Sequence, residues 1–208
     1  ENYRLVSFAE LEADANRIAR GLIELGANSG TRLALFVPMG VEFISLVFAL
    51  LKSGAVAILI DPGMGRRNML ACLDEAVPEG FVGIPAVHAV RTLLGRRYRK
   101  ARLNVTIGRR WFWRGETLES LRRLGERSRA ELPKTRADDP AAIIFTRGST
   151  GPPKGVLYRH GNFDAQVEQI RDRYAIEPGE IDLAGFPLFG LFNAAMGVTT
   201  IVPEMDFS

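Results

Sequence analysis

Cysteine occurs once and histidine twice in these 208 residues. Cys72 has no partner for an internal disulfide, and Cys72, His88 and His160 are too few for a structural zinc site or a Cys-His nucleophile pair. A long apolar run is also missing. The richest stretch, residues 41–60, is broken by Glu42 and by Lys52-Ser-Gly54, so it offers no bilayer span. The start Glu1-Asn-Tyr-Arg4 lacks the apolar core of a signal peptide, and a cytoplasmic location is the default expectation. Apolar residues nevertheless make up 47% of the chain, enough to build a globular core. The chain has no initiator Met and stops at Met205-Asp-Phe-Ser208 just after the apolar run 198–202; the expectation is a piece of something larger.

Acidic residues are scarce in one segment. Residues 91–136 hold 15 Lys and Arg against 4 Glu, a local excess of +11, whereas the remainder holds 12 against 20, or −8. Trp111-Phe-Trp113 lies inside this basic tract. Aromatics flanked by arginines suit a lipid interface, an acidic partner protein such as a partner enzyme, or, weakest of the three, a nucleic-acid strand. The plainer alternative is a solvated face with two tryptophans covering a sheet edge.

Periodicity organises the N-terminal half. Ser7-Phe-Ala-Glu10 has capping-box spacing, and Leu11, Ala15, Ile18, Ala19, Leu22 and Leu25 recur at helical spacing until Gly26, which predicts a helix over 8–25. Residues 32–37 predict a strand ended by Pro38, 41–52 an apolar helix and 55–60 a buried strand closed by Asp61-Pro-Gly63. The alternation continues with a helix over 66–76 and a strand over 81–84. Helix and strand in alternation imply an α/β fold with a doubly wound sheet flanked by helices, because parallel strands need helical crossovers. Later in the chain, 160–176 reads as an amphipathic helix through Phe163, Val167, Ile170 and Tyr174, with His160 as its starting residue, and 182–186 reads as a strand. The organisation expected is a first α/β subdomain over 1–178 and the start of a second, incomplete one over 179–208.

The stretch Phe145-Thr-Arg-Gly-Ser-Thr-Gly-Pro-Pro-Lys-Gly155 reads as a phosphate-binding loop. Gly148, Gly151 and Gly155 allow positive φ and close approach of backbone N–H groups to an anion. Thr146, Ser149 and Thr150 add hydroxyl donors and Lys154 adds a full charge, while Arg147 either lends a second cation or points to solvent. Pro152 and Pro153 stiffen the loop before any ligand arrives. A Walker loop would place Ser or Thr and then a helix after its lysine. Here Gly155-Val-Leu-Tyr158 follows Lys154, a strand-like run, so the Walker pattern fails.

A strand, glycine-rich loop, strand hairpin of this composition resembles the signature of the adenylate-forming superfamily: acyl-CoA synthetases, luciferases and the adenylation domains of peptide synthetases. Ten of eleven signature positions agree, the exception being Arg147 where the family mostly has Ser. Ala15-Asn-Arg-Ile-Ala-Arg-Gly-Leu22 and Lys52-Ser-Gly-Ala-Val56 match scaffold patterns at the start of the family's large domain, and Leu59-Ile-Asp-Pro62 matches in part. In the run Phe186-Pro-Leu-Phe-Gly-Leu-Phe-Asn193, Gly190 stands where family members commonly carry a histidine near the acyl pocket. Phe189, Leu191 and Phe192 either border an apolar channel or are ordinary core at a strand end.

The resemblance implies ATP and Mg²⁺ as cofactors, with Thr146, Arg147, Gly148, Ser149, Thr150, Gly151, Lys154 and Gly155 on the phosphates and no metal ligand from the protein within these residues. It implies a fatty-acid-type substrate activated as its acyl-adenylate. Residues 156–172 together with the histidine-less 186–189 are most similar to the olefin-pathway β-lactone synthetases, which close a β-hydroxy acyl-adenylate into a lactone. Alternatives are a fatty-acyl-CoA or fatty-acyl-AMP ligase and, outside the enzymes, a scaffold docking through its basic aromatic tract. The family's adenine-binding motif, ribose-binding Asp and lid Lys normally lie farther on, so these residues alone are expected to turn over little.

Overall fold

The computed structural model describes residues 4–146, 153–184 and 187–203. Helix α1 (Phe8–Glu24) opens on the expected capping box: the Ser7 hydroxyl accepts from the Glu10 N–H, and the Glu10 carboxylate accepts from the Ser7 N–H at 2.8 Å. There follow β1 (Arg32–Phe36), α2 (Val41–Lys52), β2 (Val56–Ile60), a short 3₁₀ turn, α3 (Arg66–Ala76) and β3 (Gly80–Gly83). The basic segment contributes the end of α4 (Pro85–Leu93), then β4 (Leu103–Thr106), β5 (Glu116–Thr117) and α5 (Leu118–Arg127). The chain then returns through β6 (Pro140–Thr146) and β7 (Lys154–Arg159) to α6 (His160–Tyr174), β8 (Ile181–Leu183), α7 (Pro187–Met196) and β9 (Thr199–Ile201).

Seven strands form one sheet in the order β5-β4-β3-β1-β2-β6-β7, parallel throughout except for the antiparallel β6–β7 hairpin. β8 and β9 pair in parallel as a separate two-stranded sheet. Strand side chains alternate between faces, and the core divides accordingly. Leu33, Leu35, Ala57, Val82, Val105 and Ala142 pack under α1, α2 and α5. Ala34, Ile58, Ile60, Phe81 and Phe145 face the other way, toward α3 and the Tyr98–Ala101 turn. The doubly wound α/β reading is thus the fold observed.

Three expectations change in detail. Residues 187–196 form α7, with Pro187 in its first turn where the missing N–H costs nothing, so Leu191 and Phe192 lie on a helix and not at a strand end. Of the strand expected over 182–186, the pairing covers Ile181–Leu183, and Phe186 lies outside the described residues. The α6 helix forms where expected but has no buried residue, and Tyr174 is 73% exposed. In the aromatic triplet only Trp113 is buried; Trp111 and Phe112 stand out in solvent.

Two polar features are built into the packing. Asp14 on α1 accepts Nε and Nη2 of Arg122 on α5, both at 2.8 Å. Burial pushes the Asp14 carboxyl up, but these bonds and the charges of Arg122 and Arg17 outweigh it and hold it below the ordinary range. The helices meet so closely that a Cβ on Gly125 would strike the carbonyl of Arg17, and one on Gly21 the carbonyl of Leu121. His88 is fully buried, its Nε2 3.0 Å from the Val105 carbonyl and its ring stacked on Trp113. Burial lowers its pKa, so it is held neutral.

Gly125→Ala is expected to destabilise by about 2 kcal/mol or more by overpacking, although alanine gains up to about 1 kcal/mol of helix propensity. Urea unfolding measures the difference. Because the folded pKa of His88 lies below the unfolded value of 6.5, its contribution is complete above that pH and is lost as pH falls below it. Thermal melts between about pH 7.5 and about pH 5 should show Tm falling on acidification, with a shallower fall in His88→Gln than in the parent.

Candidate phosphate-binding and acyl site

The β6–β7 hairpin holds what is described of the predicted loop. β6 lies between β2 and β7, with Phe145 beside Ile60 on one side and opposite Gly155 on the other. Thr146 ends β6 and pairs with Lys154, the first residue of β7. Lys154 is exposed. Arg147, Gly148, Ser149, Thr150 and Gly151 lie outside the described residues.

Gly155 proves to be glycine for a different reason than backbone conformation. It is not among the positive-φ glycines. A Cβ there would sit 2.9 Å from Phe145 Cζ and 3.0 Å from Ile143 Cγ2, so the Phe145 ring lies across the glycine and fixes the hairpin. The Gly155 N–H donates to the carboxylate of Glu75 on α3 at 3.3 Å. Sequence reading gave Glu75 no role, and nothing in its local pattern marks it: the contact exists because α3 packs alongside the hairpin.

The parallel sheet points the carboxyl ends of β1, β2, β3, β4 and β6 the same way, so the end of β6, the start of β7 at Lys154 and the segments after Phe36, Gly83 and Thr106 share one end of the sheet. At that end Val37, Met39, Ile84 and Ile107 line a cleft of about 400 Å³ whose polar rim includes Glu42, Glu119 and Arg122. It opens where β1 leaves toward β2 on one side and β3 toward β4 on the other, the switch point at which open α/β sheets bind ligands. Helix α7 borders it: a Cβ on Gly190 would lie 2.8 Å from the Met39 methyl. Leu191 packs half-buried against the core, Phe192 is half-buried, and for Phe189 only the backbone position in α7 is described. Pro38 marked the end of β1 in the sequence, but the cleft needs β3 and β4 beside it, which no local signal supplies.

The titratable residues named from sequence are elsewhere. His160 starts α6 at the far end of β7 from Lys154, a strand length of roughly 20 Å. Burial lowers its pKa despite Asp139 and Asp164. Burial and the Glu75 charge push the Cys72 thiol up, away from the thiolate a nucleophile requires. Among the described residues no three His, Cys, Asp or Glu gather to hold a metal ion, and none of the helices there is long and apolar enough to cross a membrane. Hydroxyls, glycines and a lysine are the donors an anion takes, not a cation.

Over 201 residues the chain is 46% identical to an olefin beta-lactone synthetase of Xanthomonas campestris, covering 97% of this chain and 36% of that protein. The chain thus spans about a third of that relative's length. Its fold superposes on the anthranilate CoA ligase AuaEII, solved in complex with anthranoyl-AMP, with a TM-score of 0.84 at 17% identity over 97% of this chain and 41% of the other. The O-succinylbenzoate coenzyme A synthetase of Bacillus subtilis, solved with ATP and magnesium ion, superposes with a TM-score of 0.73 at 22% identity, covering 97% of this chain and 52% of that one. The model of the AMP-binding enzyme family matches residues 1–202, and with the hairpin and the doubly wound sheet in place, the chain belongs to the AMP-binding enzymes.

Proposed function

We propose that these residues form the phosphate-holding wall of an enzyme that activates a long-chain β-hydroxy fatty acid as its acyl-adenylate and then closes it to a β-lactone. The observation that carries this reading is the β6–β7 hairpin, which sets Lys154 opposite Thr146 at the carboxyl end of the sheet, in a chain 46% identical to an olefin beta-lactone synthetase. Residues 1–178 are assigned to a first α/β subdomain and 179–208 to the start of a second, a division supported by the separate β8–β9 sheet.

In the first step a carboxylate oxygen attacks the α-phosphorus of ATP, an oxygen–phosphorus bond forms, and pyrophosphate leaves with the electrons of the broken bond. The barrier is largely the repulsion of anion by anion. Oriented N–H groups, hydroxyls and cations lower it without covalent participation. Lys154 meets the charge on the leaving phosphates, while Thr146, Ser149, Thr150, Gly148, Gly151 and Gly155 shape the backbone and hydroxyl cradle, with Arg147 as a second cation. Magnesium arriving with ATP would supply further charge neutralisation, and no residue among those described is assigned to hold it.

In the second step the substrate's own β-hydroxyl oxygen attacks the acyl carbon, the bond from that carbon to the phosphate oxygen breaks, AMP departs with its electrons as the ring closes, and the hydroxyl proton passes to the leaving AMP phosphate or to water. An intramolecular nucleophile has a high effective concentration, so no thiol is required. The acyl chain is assigned to the cleft at the ends of β1, β3 and β4, with Met39 on one side and Phe189, Leu191 and Phe192 of α7 on the other. The apolar part of that lining, Val37, Met39, Ile84, Ile107 and Leu118, and a volume of about 400 Å³ suit a chain of this class, with Glu42, Glu119 and Arg122 at the polar rim.

Lys154→Ala in the complete enzyme is expected to lower the rate of ATP–pyrophosphate exchange by about a hundredfold; an unchanged rate removes Lys154 from the site. Arg147→Ser should weaken ATP binding, read by calorimetry, and unchanged affinity removes Arg147 from the phosphates. ATP-dependent consumption of a β-hydroxy acid without coenzyme A supports lactone formation, whereas a strict coenzyme A requirement replaces it with acyl-CoA ligation. Gly190→His should fold, since the group it displaces is the mobile end of Met39, and should disfavour the longest acyl chains. The 208-residue chain alone, carrying one wall of the site, should release little pyrophosphate.

A further inference from the structure

No Asp or Glu occurs between Glu79 and Glu116, and nine Lys and Arg fall in that interval. The structure gathers much of this stretch on one face. Tyr98 packs edge-on against Phe81 at 5.2 Å, and the Trp113 indole donates to the Thr106 hydroxyl at 2.9 Å. Phe81 and Thr106 both point to the α3 side of their strands. His88 of α4 stacks on Trp113, and Trp111 and Phe112 lie 5.6 and 5.2 Å from the same indole. The outer side of α4, the 94–102 turn and the 109–114 loop therefore share one surface.

Apolar side chains project from that surface among the cations. Leu93 is 86% exposed, Phe112 74%, Trp111 61% and Val90 54%. Around them Arg96, Arg99, Lys100, Arg109, Arg110 and Arg114 are exposed. Of the basic residues in the turn, Arg97 is committed to Asp74, which leaves Arg96, Arg99 and Lys100 unmatched by any acidic group among the described residues. These three also wall a cleft of about 320 Å³ floored by Val77 and Pro78 at the end of α3, large enough for a phosphate head group.

We propose that this face docks on the surface of an anionic phospholipid bilayer, with Leu93, Val90, Trp111 and Phe112 entering the interface and the arginines and lysine meeting lipid phosphates. The combination of separate aliphatic and aromatic projections with a ring of cations is what an interface with an apolar interior and an anionic rim rewards. A nucleic-acid strand would use the cations and the Trp111 ring but gains nothing from Leu93 and Val90. An acidic protein partner would favour a continuous apolar patch over isolated projections.

The test is co-flotation of the protein with vesicles of phosphatidylcholine and phosphatidylserine in a ratio of roughly two to one, with phosphatidylcholine vesicles as control. Binding is expected only with the anionic lipid and should be released by roughly 0.5 M salt. The triple variant Arg96→Gln, Arg99→Gln, Lys100→Gln should lower partitioning roughly a hundredfold. The double variant Leu93→Ser, Trp111→Ser should lower it roughly tenfold. All five positions are exposed, and circular dichroism confirms that each variant is folded. Equal binding to neutral vesicles, indifference to both variants, or tighter capture of a single-stranded oligonucleotide that ignores Leu93→Ser would each overturn the proposal.

Discussion

The parallel pairing of β6 with β2 is the contact on which the arrangement of the site depends. It joins Ile60 to Phe145 across the whole of the basic segment, and because the strands run the same way it delivers the turn after Thr146 to the end of the sheet where β1, β3 and β4 already end. Antiparallel pairing would have placed that turn at the opposite end, beside the start of α6. Once β6 is in register, β7 can only return along its open edge, and the Phe145 ring over Gly155 locks that return. The geometry of the loop therefore rests on a long-range pairing closed by a local steric fit.

The basic segment divides into two parts with different physical roles. Arg122 is bound at both ends of its guanidinium edge to Asp14 and holds α5 against α1, where the glycine contacts leave no space for side chains. Removing either partner would strip a half-buried charge of its main counter-charge, leaving Asp14 with Arg17 or Arg122 with Glu119 alone, which costs more than the pair contributes. The residues from Arg96 to Arg114 have, apart from Arg97 on Asp74 and Arg110 on the Gly115 carbonyl, few commitments of this kind. A count of charges along the sequence merges these two parts; burial separates them.

Local signals were enough for much of the frame. The Ser7–Glu10 box, the 3.6-residue period through Leu22 and the glycines after α1 and α2 placed those helices within a residue or so, and the apolar run after Lys154 correctly indicated a hairpin where a Walker loop would have a helix. What was hidden depends on neighbours distant in sequence. Gly155 looks like any loop glycine until Phe145 is seen to cross it. Glu75 is an ordinary helix carboxylate until α3 is laid beside β7. Helix α7 was not foreseen, a strand end being one of two readings of Phe189, Leu191 and Phe192, because an apolar run of this composition has no clear period; its first-turn proline, which a strand interior would reject, was the available sign. Trp113 and His88 are buried by each other, so neither residue's own surroundings in the sequence could reveal it.

The placement of the histidines constrains the chemistry that this part of the protein can contribute. His88 is sealed beneath Trp113 on the α3 face, and His160 lies a strand length from Lys154. Gly190 brings α7 against Met39 at the cleft. Among the described residues the end of the sheet that carries Lys154 therefore offers cations and apolar walls, and no imidazole. In the proposed reaction this wall would hold and neutralise a triphosphate and shape an acyl chain. A second step carried by the substrate's own hydroxyl against an already activated acyl phosphate would draw on no imidazole from it.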